Sequence, residues 1–323
     1  MTHILFSATC KYWKYIRFHR FLQNMSHSPR VLSIQSHVVS GYVGNKSAVF
    51  PMQLLGLEVD FINSVQLSTH TGYKNVKGQI LSEKDLADLI EGLTLNDIDF
   101  YSHLLTGYIG SKSFLKQVAT VVKHLKQKNP NLIYVCDPVL GDNGKLYVPE
   151  DLVEVYKTSV LSLADIITPN LFEAELLTDI KITDVDHVWK AIDVLHSKGC
   201  NTVIISSAEI SQNPNSLSVY ASSRTGKVQK LSMELKKIPW NFTGTGDLFA
   251  ALILSWMHKS SNDLKQSLEN TIATLQAILK RTVDSINCGG DQIVTPQQKE
   301  LKLVQSKDDI ERPKITYKAI IVE

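Results

Sequence analysis

An α/β protein with a mostly parallel central sheet and helices on both faces is what this 323-residue sequence predicts. Three observations lead there. Short β-rich runs alternate with helical patterns from Arg30 onward, an order that builds parallel sheets through helical crossovers. The run Leu132-Ile133-Tyr134-Val135-Cys136 is almost wholly apolar, as expected of a strand covered on both faces, and Ile166-Ile167-Thr168 and Val203-Ile204-Ile205-Ser206 repeat it. Polar clusters follow directly on these runs, at the sheet edge where open α/β folds bind ligands.

Val31 to Gln35 reads as the first strand, followed by the glycine-rich turn Ser40-Gly41-Tyr42-Val43-Gly44 and a helix carrying Ala48, Met52, Leu54 and Leu55. Val59 to Ser64 is a second strand, Glu83 to Leu93 a polar helix, and Phe100 to Leu105 a further strand. Phe114, Val118, Val121, Val122 and Leu125 have helical spacing within Ser113 to Lys128, ahead of Pro130. After Ser206 the pattern changes to a hairpin or meander, Leu217 to Ser222 and Val228 to Leu235, joined near Thr225-Gly226. Two helices then begin near Gly246 and Asn262. The second buries a face of Leu264, Leu268, Ile272, Leu275, Leu279, Val283 and Ile286 and ends at Gly289-Gly290. No internal repeat or linker divides residues 30–323, which are expected to form one domain.

Hydrophobic residues make up 43%, charged residues 20%, and the net charge is +2, so no large basic field for nucleic acid is indicated. The apolar stretch Leu248 to Met257 falls far short of the ~20 residues of a membrane span. Cys10, Cys136, Cys200 and Cys288 are scattered, without the paired spacing of a zinc site or a disulfide framework, which fits a reducing, cytoplasmic setting. Residues 1–29 stand apart. No acidic residue precedes Glu58, and Lys11, Lys14, Arg17 and Arg20 recur among aromatic and aliphatic residues. This segment is either an unstructured extension, with Met25 as an alternative start, or a mitochondrial targeting helix.

Four polar clusters fall at the predicted edge: Ser36-His37, Asp137-Pro138 with Asp142, Thr168-Pro169-Asn170 with Glu173, and Ser206-Ser207. A fifth, Gly244-Thr245-Gly246-Asp247, opens an apolar helix. Its glycines let the backbone approach a phosphate, the helix start offers free N–H groups, and Asp247 is placed to accept a proton from an attacking hydroxyl. A plainer reading makes Asp247 a helix cap. Asp137, Asp142 and Glu173 are hard oxygen donors of the kind Mg2+ takes, and Thr168 and Ser206 add neutral oxygens or else bond local backbone. No Gly-x-x-x-x-Gly-Lys-Ser/Thr loop or protein-kinase motif set is present.

The runs Ser33-Ile34-Gln35-Ser36-His37-Val38, Gly41-Tyr42-Val43-Gly44-Asn45, His70-Thr71-Gly72-Tyr73 and Leu105-Thr106-Gly107-Tyr108 resemble motifs of the pyridoxal kinases of the ribokinase superfamily. So do Tyr134 through Asp142, Tyr147 through Leu152, Asp165 through Asn170 with Phe172 through Leu177, Gly244 through Ala251, and Val304 through Ile310, all in one collinear order. The resemblance implies a ribokinase-like three-layer α/β/α sandwich that phosphorylates the 5′-hydroxymethyl group of pyridoxal, pyridoxine and pyridoxamine from ATP. It implies that Ser36 and Thr71 bond the pyridine ring and that Val43, Leu67, Tyr108 and Tyr147 wall it. ATP would fall to Asp137, Asn170, Glu173, Ser206, Ser207, Gly244, Thr245 and Gly246. A metal, Mg2+ or Zn2+, would fall to Asp137, Asp142, Thr168, Glu173 and Ser206. Asp247 would be the base, contacting the substrate alcohol. The family resemblance further implies a monovalent cation, K+ or Na+, and a cytosolic homodimer with no nucleic-acid or membrane partner. The chain departs from the animal-type pattern in its short loop Asn143 to Leu146, its short meander Ser222 to Val228, and Leu67 and Val76 in place of bulkier aromatics. The rival enzyme of this scaffold is a hydroxymethylpyrimidine kinase, which usually carries Cys at the position of Asp247. A rival of another class is a non-catalytic vitamin or nucleotide binder.

Overall fold

The computed structural model describes residues 29–210, 213–225, 228–286 and 294–322. The basic segment ahead of Pro29, the turn residue Gly226 and the pair Gly289-Gly290 lie outside the described residues.

The strands are β1 (Arg30–Val38), β2 (Glu58–Leu67), β3 (Gly78–Ile80), β4 (His103–Thr106), β5 (Ile133–Cys136), β6 (Gly141–Asp142), β7 (Lys145–Leu146), β8 (Ile166–Ile167), β9 (Thr202–Ala208), β10 (Ser216–Ser223), β11 (Gln229–Lys236) and β12 (Ile320–Ile321). The helices are α1 (Asn45–Leu54), α2 (Glu83–Leu95), α3 (Lys112–Lys128), α4 (Asp151–Val155), α5 (Leu171–Thr178), α6 (Val185–Ser197), α7 (Thr245–Lys259), α8 (Leu264–Asp284) and α9 (Lys307–Glu311). Among the described residues one sheet runs β12-β11-β10-β9-β8-β5-β4-β1-β2-β3, with β6 and β7 forming a separate hairpin. The six strands from β9 to β2 are mutually parallel, while β3 and β10 to β12 join antiparallel at the two ends.

Side-chain alternation along the parallel strands divides the interior into two cores. Leu32, Ile34, Leu104, Tyr134, Cys136, Ile167, Val203 and Ile205 face one layer, packed against α2 to α6. Val31, Leu105, Val135, Ile166 and Ile204 face the other, packed against α1, α7, α8 and α9. Both layers therefore hold the sheet between helices, as expected for the three-layer sandwich. Helix α7 is buried at every position from Leu248 to Met257, which explains why its sequence is apolar all round rather than amphipathic.

Two element boundaries differ from expectation. The strand predicted to begin at Phe100 begins at His103; ahead of it, the Arg30 guanidinium donates to the Ile98 and Phe100 carbonyls at 3.3 and 3.5 Å. Helix α8 stops at Asp284, where the Ser285 amide closes onto the Arg281 carbonyl, so Ile286 packs from beyond the helix. No described helix is long and apolar enough to cross a membrane.

Candidate active site

Because β4, β5 and β8 run parallel and in register, the residues that follow them emerge side by side at one edge. The Asp137 amide donates to the Thr106 carbonyl at 2.9 Å and the Thr168 amide to the Cys136 carbonyl at 3.1 Å, carrying the ladder one step past each strand. Thr168 Oγ1 then donates to Asp137 Oδ1 at 3.1 Å, and both residues are buried. A Cβ at Gly246 would lie 3.6 Å from Asp137 Oδ2, so the start of α7 arrives directly against this carboxylate.

Asp247 does not cap its helix. The cap position is Gly244, at φ +85°, and no side chain bonds the first-turn amides of α7. The Asp247 carboxylate instead accepts from the Gly44 amide, 2.8 Å away on the loop after β1. Gly44 sits at φ +53°, and a Cβ there would collide with the Ser36 carbonyl and lie 2.5 Å from Ser36 Oγ. Ser36, Gly44 and Asp247 are thus stacked in one place, with Ser47 Oγ donating to the Gly244 carbonyl at 3.1 Å as a second tie. The glycines prove to have separate uses. A side chain at Gly244 would strike the Tyr42 carbonyl, so Gly244 is required by the protein itself, whereas Gly246 is exposed and leaves its backbone open to a ligand.

Glu173 is the third acid of this edge. It closes a capping box with Asn170 at the start of α5, its Oε2 accepting from the Asn170 amide at 2.9 Å. Its Oε1 accepts from the Leu140 amide at 2.9 Å. Burial raises its carboxyl to about 8 against the lowering effect of these backbone donors. Burial, then the charges of Glu173 and Asp247, holds Asp137 well above the carboxylate range, and burial raises Asp247 despite the Gly44 bond. Asp247 keeps part of its surface open, which a base that meets a substrate requires. Asp142 is raised by burial and accepts from the Asn143 amide at 2.8 Å, within a hairpin whose Asn143 and Gly144 both have positive φ, the geometry of a two-residue type I′ turn.

The remaining expected residues are less uniformly placed. Asn170 has its Oδ1 engaged by the Glu173 amide and its Nδ2 by the Gly141 carbonyl, so its side chain builds the site's frame. Ser206 bonds the Pro169 carbonyl through its amide at 2.9 Å and its hydroxyl at 3.4 Å, the local backbone role allowed for it above. Ser207 is half-buried next to it. Val43 is buried beside Gly244, Leu67 and Tyr108 are half-buried, and Thr71 is exposed. Tyr147 is 56% exposed, and its amide donates at 2.8 Å to the carbonyl of Leu140, whose own amide bonds Glu173. Two participants carried no separate signal in the reading of the sequence. Asn45 donates to the Ile62 carbonyl at 3.0 Å and fastens α1 to the sheet, and Glu300 reaches back 258 positions to the Tyr42 amide at 2.9 Å.

Among the described residues no three His, Cys, Asp or Glu side chains converge as a metal cage. The expected metal set therefore does not form a closed protein site. Its donors nonetheless suit a hard cation, since Asp137 and Glu173 are both buried acids and the charge of Glu173 helps raise Asp137. Mg2+ typically takes one or two carboxylates and completes its shell with water and phosphate oxygens.

A family model described as phosphomethylpyrimidine kinase matches residues 67–307. Human pyridoxal kinase is 49% identical over 312 residues, covering 92% of this chain and 100% of its own length. The Arabidopsis thaliana pyridoxal kinase is 50% identical over 294 residues, covering 91% and 95%. The chain belongs to the pyridoxal kinase family. Among solved structures of that family, the Leishmania donovani pyridoxal kinase in complex with ADP and pyridoxamine aligns with a TM-score of 0.84 at 36% identity, covering 91% of this chain and 99% of that one. The Trypanosoma brucei pyridoxal kinase aligns with a TM-score of 0.79 at 32% identity, covering 91% and 100%. The ribokinase-like sandwich implied by the motifs is thus the fold this chain shares with known pyridoxal kinases.

Proposed function

We propose that the chain transfers the γ-phosphoryl group of ATP to the 5′-hydroxymethyl group of pyridoxal, pyridoxine and pyridoxamine, giving the 5′-phosphate and ADP. The observation that carries this reading is the Asp247 carboxylate, held by the Gly44 amide beside Ser36 and at the uncapped start of α7. Asp247 accepts the hydroxymethyl proton as that oxygen forms its bond to the γ-phosphorus and the bond to the ADP oxygen breaks. The free amides at the start of α7 stabilise the charge spread over the transferred group. Ser36 and Thr71 bind the pyridine ring, and Val43, Leu67, Tyr108 and Tyr147 wall it. Asp137, Asp142, Thr168, Glu173 and Ser206 would hold Mg2+ or Zn2+, and a monovalent cation, K+ or Na+, would also bind. These ions neutralise phosphate charge when bound.

An ADP-release assay on the three vitamers, with hydroxymethylpyrimidine as a fourth substrate, tests the reading. Faster turnover of the pyrimidine alcohol would assign the chain to the rival kinase, and ligand binding without ADP release would make it a binder. Residues 30–323 are further proposed to act as one domain, since both cores rest on one sheet. We assign a homodimer, for which the exposed apolar side chains Phe61 and Ile80 at the β2–β3 edge offer a surface. A cytoplasmic setting suits the buried free thiols of Cys136 and Cys200.

Gly246→Ala separates nucleotide binding from folding. Its added Cβ meets ordinary packing at 3.6 Å within the protein, so the melting temperature is expected to stay within about 3 °C. The KM for ATP is expected to rise by about tenfold or more, as a methyl group intrudes where a phosphate approaches. An unchanged KM would remove Gly246 from the ATP site.

Glu173 sets a pH dependence. Its carboxyl lies near 4.5 when unfolded and at about 8 when folded, so between these values the folded chain keeps a proton that the unfolded chain has released. Stability contributed by this group is present below about pH 4.5 and is lost as pH rises through about 8. The nucleotide-free and metal-free protein is expected to melt at a lower temperature at about pH 9 than at about pH 6, with Glu173→Gln flattening that slope. An unaltered slope in the variant would place its origin elsewhere.

A further inference from the structure

Glu300 lies far from the glycine-aspartate run, just after a single turn at Gln297–Lys299 and before Leu301 and Leu303, which are fully buried in the α7–α8 core. The Lys302 amide donates to Thr282 Oγ1 at 3.2 Å, fastening this stretch to α8. From that anchored position the Glu300 carboxylate, only 10% exposed, meets two separate loops. Its Oε2 accepts from the Tyr42 amide at 2.9 Å, and Tyr42 immediately precedes Val43 and Gly44. Its Oε1 accepts from the Tyr73 hydroxyl at 3.0 Å and lies 3.2 Å from His70 Nε2.

The loop geometry assigns the imidazole tautomer. His70 Nδ1 accepts from the Gly72 amide at 3.0 Å, so the neutral ring carries its proton on Nε2 and donates it to Glu300. Tyr73 stacks edge-on against the same ring at 4.9 Å, and the Tyr73 amide donates to the His70 carbonyl at 3.2 Å. Thr71 is therefore carried on a turn whose two ends are both held by one carboxylate. Gly41 completes the fit. It sits at φ +102°, and a Cβ there would lie 2.5 Å from Glu300 Oε1, so the first loop has closed onto the carboxylate with no space left. Although burial pushes the Glu300 carboxyl up, its donors more than offset this and leave it ionised below the usual range.

We propose that Glu300 is a positioning residue for the alcohol substrate, locking the Gly41–Gly44 loop and the His70–Tyr73 turn into one rigid acceptor site from a C-terminal segment. The proposal rests on the kinase reading above, in which Ser36 and Thr71 face the pyridine ring and Gly44 holds Asp247. It explains why a segment after α8 is tied to the opposite end of the chain. Charge-assisted bonds at an enclosed site are the strong ones, so losing them loosens both loops together.

The test compares wild type, Glu300→Ala, Glu300→Gln and Tyr73→Phe in steady-state kinetics and in amide hydrogen exchange. With Glu300→Ala the KM for pyridoxal is expected to rise by about tenfold or more while the KM for ATP stays within about twofold. Exchange is expected to quicken in residues 40–44 and 70–73 together. Glu300→Gln keeps an acceptor for Tyr73 and His70 but turns an amide group toward the Tyr42 N–H, so it is expected to fall between wild type and Glu300→Ala. Tyr73→Phe, which deletes one donor, is expected to move the same readings less. Equal rises in both KM values, or unchanged exchange in both loops, overturns the proposal. Should Glu300→Ala not fold, the other two variants decide it by the same readings. Wild-type protein that turns over no vitamer would instead sink the kinase reading, and exchange in the two loops would still decide whether Glu300 holds them.

Discussion

Asp247→Asn is expected to lower turnover by roughly 10²–10⁴ with ATP and pyridoxal saturating, measured as ADP release. The amide oxygen of Asn can still accept from the Gly44 amide, so the loop after β1 keeps its tie, but the side chain no longer takes up a proton. Both KM values should change little, because neither reactant loses a binding group. Asp247→Ala is expected to lose activity to a similar extent and, in addition, stability of about 1–3 kcal/mol, because it leaves the Gly44 N–H without a partner. Removing one negative charge also relieves Asp137, whose carboxyl is held up in part by Asp247. Full turnover in Asp247→Asn would end the assignment of this residue as the base.

Gly44→Ala is expected to damage both stability and activity severely for a single added methyl group. At φ +53° and ψ −135°, outside the left-handed helical region, an L side chain costs about 1–3 kcal/mol, and the new Cβ would meet the Ser36 carbonyl, a backbone atom that cannot rotate away. Overpacking of that kind costs about 1–3 kcal/mol more, so a loss of about 2–6 kcal/mol is expected in denaturant unfolding. Activity should fall further than stability accounts for, since relieving the clash moves Ser36 and the amide that holds Asp247. Gly92→Ala is the matching control. It lies inside α2 with nothing near its Cβ position, and should stabilise by about 0.5–1 kcal/mol. Equal effects of the two changes would show that the Gly44 contact is not a constraint.

Most of the framework was legible because it obeys local rules. The parallel strands β5, β8 and β9 carry unbroken apolar runs, since helices cover both faces, and α3 carries its apolar residues at helical spacing. Strands β3 and β12 were not legible. Each is two or three exposed residues at a sheet end, too short for any period, and exists because a neighbouring strand offers free backbone groups. Arg30 bonds the Phe100 carbonyl from 70 positions away, a contact that no local pattern encodes. At the site, Ser206 and Asn170 show why polar residues at strand ends are ambiguous in sequence. Their side chains bond the Pro169 and Gly141 carbonyls and so build the frame of the site's edge.

The run Gly244-Thr245-Gly246-Asp247 by itself determined that a helix begins there with free amides and an acid in its first turn, because those are properties of local backbone and residue type. It left open whether Asp247 was a cap or a base, since a carboxylate three residues into a helix serves either use. The tertiary structure decided against the cap, by bringing the Gly44 amide to the carboxylate from 203 positions away. It also decided that Gly244 answers to Tyr42 whereas Gly246 stays exposed, and that Glu300 bonds both the Tyr42 amide and the Tyr73 hydroxyl. These are long-range contacts, and their partners are chosen only when the sheet order is complete.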